Sequence, residues 1–196
     1  MADRPMLPLP PERPRMITPR LHITGASCSG VSTLGHALAG HFGIAHLDMD
    51  DFYWISTDPP FTTKRLPEDR LRMIGERLPQ DGWVLSGSLC GWGDGLMDGI
   101  HLIVFVDTPT DIRLDRLTRR ETERFGDRLQ PGGDMHEIHT AFRDWSAQYD
   151  DPGFNGRSRA SHRIWLEEQT APKLHVDGTR PVADLVGEVV GTLSRA

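Results

Sequence analysis

Cysteine is scarce in this chain of 196 residues, with only Cys28 and Cys90 present. The two stand in no metal-ligand spacing and are too few for a disulfide framework, which points away from a stapled secreted domain and toward a reducing, cytoplasmic setting. No stretch approaches the roughly 20 consecutive apolar residues that cross a bilayer. The opening MADRPMLPLPPERPRMITPR also lacks the apolar core of a signal peptide. A soluble protein with no membrane partner is expected. Excess positive charge is missing too, since 22 Lys and Arg face 28 Asp and Glu for a net charge of −6. Non-specific nucleic-acid binding draws on many cations that neutralise phosphates. Nucleic acid is therefore not an expected partner, and any basic site must be local.

What is present suits one domain, since 37% hydrophobic content over this length can bury one good core. Residues 1–19 hold six of the fifteen prolines and read as an extended or disordered tail, because proline removes backbone donors and blocks helix. Its PLPPERP stretch has the composition of a polyproline ligand. From Leu21 onward, short apolar runs alternate with amphipathic stretches of helical length, the pattern of strand-helix-strand units. Strands are predicted at Leu21–Thr24, Ile44–Asp48, Trp83–Ser86, Leu102–Asp107 and Leu174–Asp177. Helices are predicted at Ser32–Phe42, Pro67–Leu78, Thr110–Phe125, Met135–Tyr149, Ser158–Gln169 and Pro181–Leu193. The strands lack clean alternation, as parallel strands covered on both faces do.

Between the first strand and the first helix lies Gly25, Ala26, Ser27, Cys28, Ser29, Gly30, Val31, Ser32, with Thr33 following. This matches the phosphate-loop pattern G-x-x-x-x-G-K-[ST] at every fixed position except the lysine. Such a loop curls its backbone N–H groups around a phosphate at a helix N-terminus, and the Ser32 hydroxyl would ligate Mg²⁺. Val31 removes the point charge that normally meets the outer phosphates, so another cation must replace it. In TDIRLDRLTRRETERFGDR, Arg113, Arg116, Arg120, Arg124 and Arg128 recur every three or four residues along one helical side. Their planar forks suit phosphate oxygens, with Arg116 and Arg120 the candidate catalytic cations. The plain alternative is a solvated helix face with an Asp115–Arg119 surface pair.

HLDMDDFYW places Asp48, Asp50 and Asp51 just past the second predicted strand, at the sheet edge where open parallel sheets bind ligands. Asp50 is favoured as the base for an acceptor hydroxyl and Asp48 as the metal-side carboxylate, with Asp51 the rival for both roles. Phe52, Tyr53 and Trp54 either cover a flat acceptor or join the core. Ser86, Gly87 and Ser88 leave room at the same edge, and Gly91, Trp92 and Gly93 prolong it. In GGDMHEIH, Asp134 reads as a helix cap, while His136 and His139 alone make a poor metal site. Cys28 reads as a small filler of the loop.

On these motifs the chain resembles the P-loop kinases of small molecules, of the adenylate kinase-like, shikimate kinase-like and nucleoside kinase-like kinds, from about Leu21 to the C-terminus. DMDDFYW is similar to the acceptor segment of shikimate and nicotinamide riboside kinases, which puts Asp50 or Asp51 in the base position. VFVDTPTDIRLDRLTRR is similar to the strand and arginine-bearing helix that lead into a lid, here around 116–134. VDGTRPVADLV looks like the segment against the adenine, which makes Asp177, Gly178, Thr179, Arg180 and Pro181 candidate base-side contacts, mostly through backbone. The resemblance implies a three-layer α/β/α fold around a parallel five-stranded sheet, with ATP and Mg²⁺ as cofactors and a small-molecule acceptor. It implies a phosphotransferase; the alternative is a nucleotide-binding module in which Val31 records lost catalysis.

Overall fold

A computed structural model describes residues 18–195. All but the last two residues of the proline-rich segment, PLPPERP included, lie outside the described residues. Five parallel strands, β1 (Arg20–Gly25), β2 (Ala45–Asp48), β3 (Trp83–Ser86), β4 (Leu102–Asp107) and β5 (Lys173–Asp177), form one sheet in the order β2-β3-β1-β4-β5. Successive connections run to one side of β1 and then to the other, so the strand order reverses at the carboxyl end of β1, where an open α/β sheet leaves its binding crevice.

Seven α-helices are described: α1 (Val31–Phe42), α2 (Met49–Tyr53), α3 (Pro67–Arg77), α4 (Thr110–Phe125), α5 (His136–Ala147), α6 (Arg159–Glu168) and α7 (Val182–Leu193). Strand alternation divides the core in two. Leu21, Ile23, Val84, Val104 and Val106 meet Leu34 and Leu38 of α1 and Leu185 and Val189 of α7. On the other face Leu85, Ile103 and Phe105 meet Ile74 of α3 and Trp165 and Leu166 of α6. The three-layer α/β/α architecture follows from buried side chains on both faces of the central strands.

Local chemistry shifts a few boundaries. Gly43 takes a left-handed conformation (φ 66) that closes α1, and the Ile44 amide returns to the Ala39 carbonyl, so β2 starts at Ala45. Pro181 is the N-cap of α7 in extended backbone and lies just outside its first turn. The long helix expected over 135–149 ends at Ala147 and tightens into a 3-10 turn over Gln148–Asp150. α2 was not foreseen; it forms inside the acidic segment because the Asp48 carboxylate accepts the Asp50 amide at 3.0 Å and caps it.

β1 also buries polar residues on its α6 side. His22 Nε2 donates to the Gly87 carbonyl at 2.9 Å, while its Nδ1, Thr24 Oγ1 and His162 Nε2 are buried without partners. His162 shares a 2.8 Å hydrogen bond with the Tyr149 hydroxyl. Burial pulls His22 down to about 4 and His162 down to about 3, the latter helped by Arg157, His22 and Arg159. Both rings stay neutral in the folded protein but titrate near 6.5 once unfolded. Their stabilisation is complete above that value and is lost as pH falls toward 4. Melting curves between pH 7 and pH 4 should show stability dropping by about 1.4 kcal/mol per pH unit for each histidine, and His22→Gln should remove about half of that slope.

Candidate active site

β1 ends at Gly25 because nothing larger fits. A Cβ there would lie 2.5 Å from the Val106 carbonyl oxygen and 2.6 Å from Ser29 Oγ. Cys28 (φ 61) and Gly30 (φ 107) both take left-handed backbone, which turns the intervening amides inward as an anion nest. Ser29 donates its amide to the Ala26 carbonyl at 3.1 Å, whereas the amides of Ser27, Cys28 and Gly30 donate to no acceptor among the described residues. α1 follows without a side-chain cap, so its first-turn donors also face the loop. This cradle fits a phosphate chain. Burial raises the Cys28 thiol, which therefore stays protonated and fills space.

Val31 offers only an apolar side chain beside the loop. It is 9% exposed and packs into the core between α1 and α7, so position 31 brings no charge to the loop. Arginines from later in the chain surround the loop instead. Arg116 on α4 donates to the Ser29 carbonyl (3.2 Å) and the Gly178 carbonyl (2.9 Å), bridging the phosphate loop to the loop after β5. Arg157, just before α6, donates to Ser27 Oγ at 2.8 Å and lies 5.3 Å over the Trp145 ring, and its Nε is buried without a partner.

The arginine row of α4 divides by role. Arg113 is 1% exposed and lies outside the cleft; it donates to the carbonyls of Ser27 (3.3 Å), Thr108 (3.2 Å) and Ser146 (3.5 Å) with the Tyr149 ring 4.9 Å away. Arg120 gives two hydrogen bonds to the buried Glu121 carboxylate, at 3.0 and 2.7 Å. Arg119 and Arg124 also line the cleft. Arg128 leaves the row: α4 stops at Phe125, and Arg128 pairs with Asp134 and Asp58. Asp134 is thereby spent on Arg128 and does not cap α5, which begins without a side-chain cap. No Asp115–Arg119 ion pair forms among the described residues, and His136 donates through Nδ1 to the Leu129 carbonyl.

Asp48, Asp50 and Asp51 line the same cleft as Ser27 through Thr33. Asp50 is pushed above the usual carboxylate range, first by the desolvating walls and then by Asp48 and Asp51, while Arg157 and Arg120 pull it down. It thus lies in the joint field of those two arginines. Phe52 enters the core, whereas Tyr53, Trp54, Phe61 and Trp92 form the far wall with Lys64 and the buried Arg70. Gly178 and Arg180 border the cleft; Thr179 faces a separate shallow hollow and bonds Asp177. Gly25 and Ala26 lie behind the loop. Strands β3 and β4 flank β1 but bring no free acid, for β3 ends at Ser86 and Asp107 of β4 is held by Arg159 at 2.8 Å.

The cleft measures about 1630 Å³, beyond the roughly 300–1,000 Å³ of a one-ligand pocket. Eight Lys and Arg and five Asp and Glu line it, a local reversal of the chain's −6. Sequence reasoning missed Arg157 and Arg70. Arg157 is marked only by the Ser158 capping box beside it, and Arg70 by nothing, since helix α3 carries arginines on several faces.

No family model matches the chain. It is 40% identical over 175 residues to the uncharacterized protein YqaC of Bacillus subtilis (strain 168), covering 89% of this chain and 97% of that protein, so the two belong to one family. The fold is that of P-loop kinases. A shikimate kinase from Bacteroides thetaiotaomicron matches with a TM-score of 0.55 and 18% identity, over 90% of this chain and 98% of the other. A gluconokinase from Sinorhizobium meliloti 1021 matches with a TM-score of 0.52 and 21% identity, over 92% and 94%.

Arg113 is buried and ties together three carbonyls from separate segments. Arg113→Ala should cost about 3 kcal/mol of stability, read as a lower urea midpoint, and should weaken ATP binding because the Ser27 carbonyl loses its anchor.

Proposed function

Because the chain belongs to the YqaC family and has the fold of P-loop kinases, we propose that it is an ATP-dependent phosphotransferase acting on a small hydroxyl-bearing acceptor. One observation carries this reading. A single cleft joins a phosphate cradle with free amides, arginines on its rims, and a carboxylate of raised proton affinity within the field of those arginines. Kinases of shikimate and gluconate are among the proteins sharing the fold, and the cleft has room for a small acceptor beyond a nucleotide.

In this reading the amides of the loop from Ser27 to Ser32 hold the β- and γ-phosphates. Ser32 Oγ and one carboxylate, Asp48, would hold Mg²⁺; with phosphate oxygens and waters completing its shell, the ion needs no larger protein cage. Bound there it neutralises charge on the phosphate oxygens. Asp50 takes the proton of the acceptor hydroxyl as that oxygen forms its bond to the γ-phosphorus and the bond to the bridging oxygen breaks, leaving ADP. Arg116 and Arg157 meet the charge that Val31 leaves unmet, with Arg120 orienting the acceptor side. Gly178 and Arg180 border the base, and Thr179 holds their loop through Asp177. Asp51, in the same first turn of α2, is the competing base.

The test is ADP release from Mg·ATP against pooled nucleosides, nucleoside monophosphates and hydroxy acids, beside an ATP-binding titration. Acceptor-dependent release is expected. ATP binding with no release from any pool would leave a nucleotide-binding module, the reading that the buried Val31 favours. Asp50→Asn should lower kcat by about 10²- to 10⁴-fold with ATP affinity unchanged. Asp50→Asn should also raise the melting temperature near pH 7, because a raised carboxyl stabilises the fold only while protonated and that stabilisation is lost as pH climbs through its folded value. The wild-type acid limb of kcat/KM should fall above the ordinary aspartate value of about 3.9.

A further inference from the structure

Four arginines around the phosphate loop have acceptors in the protein: Arg116 has two carbonyls, Arg157 has Ser27, Arg120 has Glu121 and Arg180 has Glu188, while Arg119 and Arg124 are exposed on α4. Arg70 on α3 differs. It is 6% exposed, yet makes no ion pair among the described residues. Its Nε donates to the Arg65 carbonyl at 2.7 Å, and its guanidinium carbon lies 3.9 Å from the Tyr53 ring and 5.2 Å from the Trp92 ring. Neither Nη has an acceptor among the described residues, and neither is sealed from the cleft that Arg70 lines. A guanidinium taken out of water needs an anion or a full set of acceptors. Two aromatic faces and one carbonyl fix its plane and leave the outer edge of the fork unused. Lys64 adds a second cation 5.9 Å over the same Tyr53 ring, so the wall opposite the phosphate loop is positive as well.

We propose that the acceptor carries an anion, a carboxylate or a phosphate monoester, in addition to its reacting hydroxyl, and that Arg70 receives that anion in a fork held by Tyr53 and Trp92. This rests on the phosphotransferase reading, in which Asp50 receives the hydroxyl. Asp50 and Asp51 stand in the same cleft, so an anionic acceptor is oriented as well as bound: its charge is drawn to Arg70 and repelled from the aspartates, which turns the hydroxyl end toward them. A neutral counterpart lacks that orientation and leaves the fork unpaired, a loss that apolar contact cannot replace.

The proposal is tested by binding, separately from turnover. With the phosphate loop saturated by Mg·ADP, tryptophan fluorescence from Trp54 and Trp92 is titrated with pairs that differ in the anion: gluconate against glucitol and adenosine monophosphate against adenosine, with inorganic phosphate as the smallest probe. Saturable quenching by at least one anionic probe, with its neutral counterpart at least about tenfold weaker, is expected. Arg70→Met should weaken that binding about 100-fold and Arg70→Lys about tenfold, because lysine keeps the charge but not the fork. Unchanged Mg·ADP affinity in both variants verifies that they are folded, and the lysine variant keeps the test open if the methionine variant is not. Equal binding of the neutral members, no response to any anion, or undiminished anion binding in the folded variants would each overturn the proposal. Carboxylate against phosphate preference identifies the source of the anion. ADP release under the same conditions reports on the phosphotransferase reading independently: anion-selective binding without release keeps the Arg70 site and rejects transfer, whereas release with neutral acceptors does the reverse.

Discussion

The Arg113 guanidinium, almost wholly buried, reaches three backbone carbonyls from three parts of the chain: Ser27 in the phosphate loop, Thr108 past β4 and Ser146 in α5. The Tyr149 ring covers it and passes the link to His162 on α6 through a hydrogen bond. Burying such a charge is costly unless its donors are met, and here they are met by carbonyls of three separate segments. The loop, the arginine helix and the segment carrying Arg157 therefore hold their positions together. The shape of the cleft depends on this packing more than on any contact within the cleft itself.

That dependence matters because the usual cation of the loop is absent. A lysine at position 31 would belong to the loop's own helix; Val31 belongs to the core. The positive charge around the loop comes instead from α4 and from the residues before α6, elements far from the loop in sequence. The chain has only two lysines, Lys64 and Lys173, among its 22 Lys and Arg, so planar forks perform nearly all of its cationic work. Forks recruit carbonyls and rings as well as anions. Arg116, Arg120 and Arg180 are accordingly fixed by acceptors within the protein, whereas Arg70 on the far wall is buried with its outer donors unused.

The two ends of the cleft thus differ in kind. At the loop, backbone amides and bridged arginines form a rigid cradle suited to a phosphate chain. At the far wall, aromatic rings and a desolvated cation offer selectivity. Asp50 stands between them with its proton affinity set by opposing neighbours, Asp48 and Asp51 raising it and Arg157 and Arg120 lowering it. A carboxylate so placed is responsive to what enters the cleft, because any added anion or cation changes the balance of the same field.

Much of this was legible in the residues alone. Apolar runs separated by amphipathic stretches specify parallel strands and covering helices, and the glycine pattern specifies a tight loop between β1 and α1, because both depend on local periodicity and on where a side chain is forbidden. Gly25 and Gly30 are such positions. The acidic segment was legible as a carboxylate cluster at the sheet edge, though not its folding into α2, which depends on the Asp48 cap. Which arginine meets which partner was decided only by tertiary structure: Arg113, Arg116, Arg120 and Arg128 share one helical spacing yet become a buried tie, a bridge, a carboxylate partner and a remote ion pair. Arg70 carries no local signature at all, and Arg157 only the capping box beside it. A long, flexible side chain has no spacing that encodes its target, and its role is set by which carbonyls, rings and carboxylates the folded chain brings within its reach.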